Sequence, residues 1–402
     1  MQRWERNLYA AWVAQLIAII GFNFVFPFMP FYIQELGVTD MSQVARWAGI
    51  LATVPALTMA IFSPVWGSLA DRYGRKLMVE RAMFGGAVIT ACMGLATNVY
   101  QLLVFRIIQG ALTGTVPASI ALVSTTTPRE RLGFSLGLMQ TAVFSGSSIG
   151  PLLGGAVADF FGYRCSFYVT GSLLFIAGLI VLFLVEERFQ PLSAGEIPER
   201  NFWKNLWIIF SSRQLLAMIF VLFCVQFAGM IVYPIFPLFV QSLTKSTSRI
   251  ASITGAMLAI TGIASAFSSA TIGRVSDKVG YRNILLLSTL GAGMFYLPQA
   301  FVGSISQLFL LRIALGFFSG GILPTANAII GLSVSEEHRG KVYGTTASAS
   351  ALGNATGPIA GGIIASSLNL RAVFIFTTAI LTMAGIWIIM TVKEPKIAKK
   401  KG

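Results

Sequence analysis

Apolar residues fall in long blocks along the chain, not in short alternating groups. The blocks are 8–33, 47–70, 77–96, 102–126, 133–161 and 166–185. After a polar interval they resume at 215–240, 253–275, 284–302, 308–332, 342–368 and 372–392. A helix crosses the bilayer core in about 20 apolar residues, so each block is long enough to span. In lipid the backbone must satisfy its own hydrogen bonds, which leaves helices or closed barrels. These blocks are too long and too continuously apolar for barrel strands. The pattern predicts an all-α membrane protein of twelve transmembrane helices in two pseudo-symmetric six-helix bundles. The expected divisions are 1–186 for the N-terminal bundle, 187–213 for a cytoplasmic linker, and 214–402 for the C-terminal bundle with its basic tail. Within the linker, Pro191 and Pro198 mark a tether. Phe202, Leu206 and Ile209 then recur at helical intervals beside Trp203 and Trp207, which predicts a short interfacial helix.

Composition sharpens the picture. Of 402 residues, 55% are hydrophobic and 11% charged, against about 25% charged in soluble domains. An ordinary soluble enzyme, a disordered chain and a disulfide scaffold are all excluded. The formal charge is +14, and the basic residues sit in short loops that alternate in sign of excess. Arg3 and Arg6, then Arg72, Arg75 and Lys76, Arg129 and Arg131, Arg274, Lys278 and Arg282, and Arg339 and Lys341 fall on one side. By the positive-inside rule that side is the cytoplasm, with both termini there and the chain in the cytoplasmic membrane. Topology thus explains the charge, and no nucleic-acid partner is expected. Arg3 and Arg6 before the first block could imitate a signal peptide. No small-residue cleavage signal follows, so a retained first span is expected. Cys92, Cys165 and Cys224 lie in or beside apolar blocks, and the single histidine, His338, lies in a charged loop. No disulfide framework, metal site, cofactor or catalytic constellation is expected.

The two halves repeat. Pro27 and Pro30 recur as Pro234 and Pro237, shifted by 207. Gly67 and Asp71 recur as Gly273 and Asp277, and Arg106 and Gly110 as Arg312 and Gly316, shifted by 206. Gly150-Pro151 recurs as Gly357-Pro358, and Arg164 as Arg371, shifted by 207. Duplicated six-span halves mark secondary transporters with a site between the repeats.

Between the second and third spans stands Gly67-Ser-Leu-Ala-Asp71-Arg72-Tyr-Gly74-Arg75-Lys76, with a weaker copy from Gly273 through Asp277 to Arg282. Asp71 closes one helix and Arg75 and Lys76 open the next, so both placements oppose the helix dipole. These charges are expected to pair with each other or with neighbouring helices. Arg106 lies inside an apolar block, where a charge costs about 2.5–3.5 kcal/mol, and Gln109, Thr113 and Pro117 extend one polar stripe from it. An outward-snorkelling anchor is the plainer alternative. The fifth span holds Gly146-Ser-Ser-Ile-Gly150-Pro151-Leu-Leu-Gly154-Gly155, with glycines spaced for close helix approach. Thr127-Pro128-Arg129-Glu130 before it reads as a helix start.

These motifs together resemble the major facilitator superfamily, and its drug:proton antiporter branch in particular. The resemblance covers nearly the whole chain. It implies that Gly67, Asp71, Arg72, Gly74 and Arg75, with Asp277 and Arg282 in the second copy, form cytoplasmic gating loops. It ties Arg106 to proton coupling and substrate response, and reads Gly146, Gly150, Pro151, Gly154 and Gly155 as the antiporter motif. In that family the first, fourth, seventh and tenth spans line the central cavity. The implied substrate-binding residues are Asn23, Phe26, Arg106, Gln109, Thr113, Gln226, Tyr233, Ser319 and Asn327, with Gln140 and Phe144 from the fifth span. A lining rich in aromatics and poor in fixed charge suits varied amphipathic molecules. The expected activity is drug export by alternating access in exchange for protons, by a monomer whose other partners are membrane lipids. The alternative is a carrier of one metabolite, such as a sugar or amino-acid derivative. One feature departs from the branch, since no carboxylate stands mid-membrane. Glu80 near the inner end of the third span and Asp159 near the outer end of the fifth are the deepest acids.

Overall fold

In the computed structural model, described at residues 2–187, 189, 212–244, 249–334 and 336–394, the apolar blocks are helices. At 129, 273, 274, 277 and 336–341 the backbone alone is described. The expected interfacial helix at 200–210 and the tail beyond 394 lie outside the described residues.

Eight helices make the first half: α1 Arg3–Phe24, α2 Met29–Glu35, α3 Met41–Tyr73, α4 Arg75–Met93, α5 Val99–Leu112, α6 Thr115–Thr126, α7 Leu132–Phe161 and α8 Tyr163–Leu184. Eight more follow: α9 Arg213–Val232, α10 Phe236–Ser242, α11 Ile250–Val279, α12 Tyr281–Tyr296, α13 Ile305–Ser319, α14 Ile322–Ser333, α15 Glu336–Ser367 and α16 Leu370–Thr391. Ten spans among the described residues are long and apolar enough to cross a membrane. The other two expected crossings are also helices. Of these, α4 carries Arg75, Lys76, Glu80 and Arg81, and α15 is rich in Gly, Ser and Thr.

By its contacts the chain divides into two compact units, Met1–Pro198 with Lys245–Ala259, and Glu199–Thr244 with Ile260–Gly402. In the first unit α1 packs on α7 and α8, and α4 packs on α8. In the second, α9 packs on α15 and α16, and α12 on α16, which is the same pattern 206 or 207 residues later. Ala10, Ala14 and Ala18 recur every four residues and bring α1 close to Val79, Met83, Leu174 and Val181 in one buried cluster. Large apolar side chains such as Ile61, Phe160, Phe183 and Met294 remain exposed on the helix exteriors, where lipid solvates them at no cost.

Four spans are broken, and the reason is local. Pro27 cannot donate to the carbonyl four residues back. Span one stops at Phe24 and restarts at Met29, with Met29 N–H on the Val25 carbonyl at 3.1 Å. Pro234 does the same in span seven, between Val232 and Phe236. Span four breaks at Thr113-Gly114, where Gly114 has φ 116°, a conformation that favours glycine. Span ten breaks at Gly320-Gly321. By contrast, Pro55 and Pro64 in α3, Pro151 in α7 and Pro358 in α15 leave their helices continuous. The start of α7 differs from the expected cap. Thr127 instead closes α6, a 3-10 turn occupies Arg129–Arg131, and the buried Thr127 hydroxyl finds no partner in the structure.

The glycine ladder of α7 explains how α1 comes so close. A methyl at Gly150 would stand 2.7 Å from the Ile20 carbonyl oxygen, and one at Gly154 would fall on the Phe24 carbonyl. The second unit repeats this, with Gly357 against Phe227 and Gly361 against the Ile231 carbonyl. Overpacking of this kind costs about 1–3 kcal/mol. Gly154→Ala and Gly361→Ala should each lower the melting temperature of detergent-purified protein. Gly137→Ala on the same α7 helix, where nothing lies within 4 Å, should not, as fluorescence-detected thermal unfolding will show.

Candidate functional site

The broken fourth span gathers the polar side chains of the first unit. Arg106 donates from Nη1 to Gln109 Oε1 at 3.0 Å, and Gln109 donates from Nε2 to Thr90 Oγ1 at 3.2 Å. Thr113 returns its hydroxyl to the Gln109 carbonyl at 2.7 Å. Arg106, Gln109 and Thr113 are thus one connected group, as the stripe predicted, and the buried Thr90 joins them. Arg106 points inward, since its Nε is buried, so the snorkelling alternative is not what the side chain does.

The break also exposes backbone carbonyls. Pro117 has no N–H to give the Thr113 carbonyl, and Arg81 Nη2 approaches it at 3.5 Å. Trp66 Nε1 donates to the Ala111 carbonyl at 2.6 Å. The Arg81 guanidinium lies over the Trp66 ring at 3.7 Å. Neither Trp66 nor Arg81 was expected at a site. Their only sequence signal is a charge and an indole within apolar helices.

Asn23 donates to the Ile19 carbonyl at 2.9 Å just before the first break, and Phe26 lies in the break itself. Gln140 and Phe144 are exposed on α7 and do not join the Arg106 group. In the second unit Gln226 donates to Asn354 Oδ1 at 3.3 Å, Tyr233 sits at the seventh-span break, and Ser319 donates to Gly316 beside the tenth-span break. The side chain of Asn327 is exposed, while its carbonyl accepts from Tyr343. Arg312 is buried at 4% exposure, with its guanidinium 3.6 Å over Phe236, the first residue after the seventh-span break.

At the Asp71 loop the dipole conflict is resolved by a residue the motif does not contain. Asp71 and Arg75 pair at 3.3 Å, as expected, but half-exposed and therefore weakly. The Glu187 carboxylate accepts from the N–H groups of Arg75 and Lys76 at 3.0 and 2.8 Å. It supplies negative charge where the dipole of α4 wants it. Lys76 Nζ then reaches the Leu182 carbonyl at 2.8 Å. The second unit repeats the glutamate cap and the basic contact to a carbonyl, while Tyr281 stands where Arg75 does. Glu394 accepts from Tyr281 and Arg282 at 2.7 and 2.8 Å, and Arg282 Nη2 donates to the Ile389 carbonyl at 2.8 Å. Gly74 and Gly280, with φ 98° and 100°, turn the chain between the helices. A side chain at either would meet the capping glutamate. Asn7 holds the Glu186 backbone from both sides, and Gln214 holds the Lys393 carbonyl. Beside Glu187 opens a cavity of about 600 Å³, lined by Arg3, Trp4, Asn7, Arg75, Thr125–Thr127 and Glu186. Gly67 has open space around it and Arg72 lies 5.3 Å from the Tyr73 ring. The side chain of Asp277 lies outside the description.

The glycines of α7 show two faces. Gly146, Gly150 and Gly154 meet α1, while Gly155 meets the Ala251 carbonyl at the start of α11, and Pro151 meets Gly255. Asp159 closes that second face, accepting from Ala251 and Ser252 N–H at 3.3 and 2.6 Å.

A family model described as Major Facilitator Superfamily matches residues 11–253 and 218–402. The chain is 34% identical to the multidrug resistance protein MdtG of Salmonella arizonae, over 96% of this chain and 95% of the relative. To the Escherichia coli (SMS-3-5) protein of the same name it is 33% identical, over 96% and 94%. Among solved structures, an inward-facing bacterial homolog of the human lysosomal transporter Spinster superposes with a TM-score of 0.79 at 16% identity, covering 97% of both chains. The nucleoside transporter NupG gives 0.75 at 14%, covering 96% of this chain and all of that one.

Losing a helix N-cap costs about 1 kcal/mol. Glu187→Ala and Glu394→Ala should each lower thermal stability by that order. Glu187→Gln, which keeps an amide oxygen for one of the two N–H groups, should fall between them and wild type in the same unfolding assay.

Proposed function

The chain belongs to the Major Facilitator Superfamily and is a multi-pass membrane transporter, and on that premise we propose that it exports drug-like amphipathic molecules across the cytoplasmic membrane in exchange for protons. The observation that carries the transport reading is the set of breaks in spans one, four, seven and ten. Discontinuous helices leave free backbone groups and small side chains at membrane depth, which is where carriers build their binding sites. The export direction and the drug-like cargo rest on the near-full-length similarity to multidrug resistance proteins.

In this reading the halves alternate access to a midplane site, and both termini lie in the cytoplasm of a monomeric carrier. Asn23, Phe26, Arg106, Gln109, Thr113, Gln226, Tyr233 and Asn327 contribute to cargo binding, with Gln140 and Phe144 joining as the site reshapes. The loops at Asp71 and Asp277, capped by Glu187 and Glu394, latch the cytoplasmic side. The candidate proton carriers are Glu80, paired with Lys76 at 3.6 Å, and Asp159, whose partners are neutral N–H groups.

In everted membrane vesicles an imposed pH gradient should drive uptake of several unrelated drugs and dyes. Uptake of one sugar or amino-acid derivative alone would select the single-metabolite carrier instead. Asp71→Asn should abolish drug resistance in cells while leaving membrane insertion intact. Wild-type resistance in that variant would remove the latch.

A further inference from the structure

We infer that the second unit binds a small monovalent inorganic anion, chloride, on the buried edge of Arg312. The guanidinium lays one flat face on the Phe236 ring at 3.6 Å. Its Nε and Nη2 are out of solvent and find no acceptor in the protein. In a guanidinium these two nitrogens share one edge, so their N–H groups point side by side in its plane. The ring stands against the face and cannot accept from that edge. What remains is a complete two-pronged donor carrying a full charge, in a setting where a charge needs a partner.

No acid of the second unit answers it. Beyond residue 213 the acids are Asp277, Glu336, Glu337 and Glu394. Glu394 accepts from the N–H groups of Tyr281 and Arg282. Glu336 and Glu337 follow span ten, roughly 36 Å along the helix from Arg312 at 1.5 Å per residue. Ala264 meets Gly316, one turn after Arg312, and Asp277 lies roughly 20 Å further along α11. Among the described residues no ion pair includes Arg312. The first unit meets the same need from its own side chains, since Arg106 donates to Gln109 at 3.0 Å and Gln109 to Thr90. At the shift of 206 those residues are Leu315 and Tyr296. The amide acceptor is gone while the arginine remains.

The surroundings select the ion. Leu308 and Leu315 lie one turn before and after Arg312 on the same helix face, and both are buried, as is Phe236. An oxyanion such as phosphate presents several oxygens, most of which would lack donors among these walls. A halide is a single sphere that both N–H groups can reach. Tyr296 is near enough for its phenol to act on Arg312 electrostatically, and its O–H can donate to the same ion. A buried water would accept from the fork but leave the charge standing. With the ion bound, Arg312 becomes a neutral bridge from α13 to Phe236, where span seven restarts.

Such a site is independent of cargo and of proton coupling, so detergent-purified protein tests it. Equilibrium dialysis with radioactive chloride should find one ion per chain in wild type and none in Arg312→Met. Replacing gluconate by chloride at constant ionic strength should raise the wild-type melting temperature by about 5 °C or more at a hundredfold excess over Kd. Arg312→Met should melt at the same temperature in both salts, and no lower than wild type in gluconate, because it removes the buried charge. Arg312→Lys keeps the charge and loses the fork, and its chloride Kd should rise about tenfold, the worth of a charge-assisted hydrogen bond. An unchanged chloride effect in Arg312→Met would place the ion elsewhere and overturn the inference. So would a wild type that neither binds chloride nor melts differently in it, which would leave the fork to water and the charge to Phe236. Should both variants fail to fold, crystals of wild type grown in bromide decide. An anomalous peak at the Nε–Nη2 edge supports the site, and no peak there overturns it.

Discussion

A backbone that leaves its helix inside a bilayer must find new partners, because no lipid tail can donate or accept a hydrogen bond. This constraint governs the interior of the molecule. Each break in spans one, four, seven and ten frees carbonyls, and the side chains nearby are those that can answer them. At the fourth-span break the answer is a tryptophan N–H on Ala111 and an arginine on Thr113. The Gln109 carbonyl takes the Thr113 hydroxyl as well. Polar residues appear in the membrane where the backbone is interrupted, and the interruptions in turn are fixed by Pro27, Gly114, Pro117, Pro234 and Gly320-Gly321.

The same scaffold is used twice with different chemistry. Glycine ladders, proline breaks and capping glutamates repeat at a shift of 206 or 207, so the architecture is set by a duplicated pattern of small and rigid residues. Most of the polar positions around the fourth-span break do not repeat. Gln109 corresponds to Leu315, Thr90 to Tyr296, and the Trp66–Arg81 pair to Ile272 and Leu287. Arg106 rests on an amide, whereas its counterpart Arg312 rests on a phenyl ring. Packing demands are shared by both units and constrain both copies. The polar side chains at the breaks are free of that shared demand, and there the two units diverge.

Much of this was legible in the sequence. The helices, the two-fold repeat, the Asp71–Arg75 pair and the inward-facing polar stripe from Arg106 all follow from hydropathy, helical spacing and register. Glu187 and Glu394 were equally available, since they obey the same 207 shift, but they stand outside the recognised motif, one in the linker and one at the start of the basic tail. The breaks were hidden for another reason. Pro55, Pro64 and Pro151 lie within continuous helices, so a proline alone does not announce an interruption in a membrane. Spans one and seven break where a second proline follows three residues on, span four at Gly114 with φ 116°, and span ten at the Gly320-Gly321 pair. Arg81 was hidden by its neighbours, because next to Arg75, Lys76 and Glu80 it reads as one more basic residue of a cytoplasmic end, and only the coordinates separate it from them.

The capping glutamates change what holds the loops at Asp71 and Asp277. A loop stabilised only by the half-exposed Asp71–Arg75 pair would be held by roughly 0–1 kcal/mol, too little to fix its geometry. Glu187 alters this by tying the first turn of α4 to the chain just after span six, while Lys76 binds the last turn of that same span. Asn7 clamps the adjacent Glu186 backbone to α1. Three spans therefore meet at one loop through contacts, charge-assisted at Glu187 and Lys76 and neutral at Asn7, that act on backbone groups rather than on flexible side-chain tips. Such contacts stay fixed in direction when the surrounding side chains rearrange. The cap makes each loop a rigid fixture of its own unit, and leaves Asp71 and Arg72 as its exposed members.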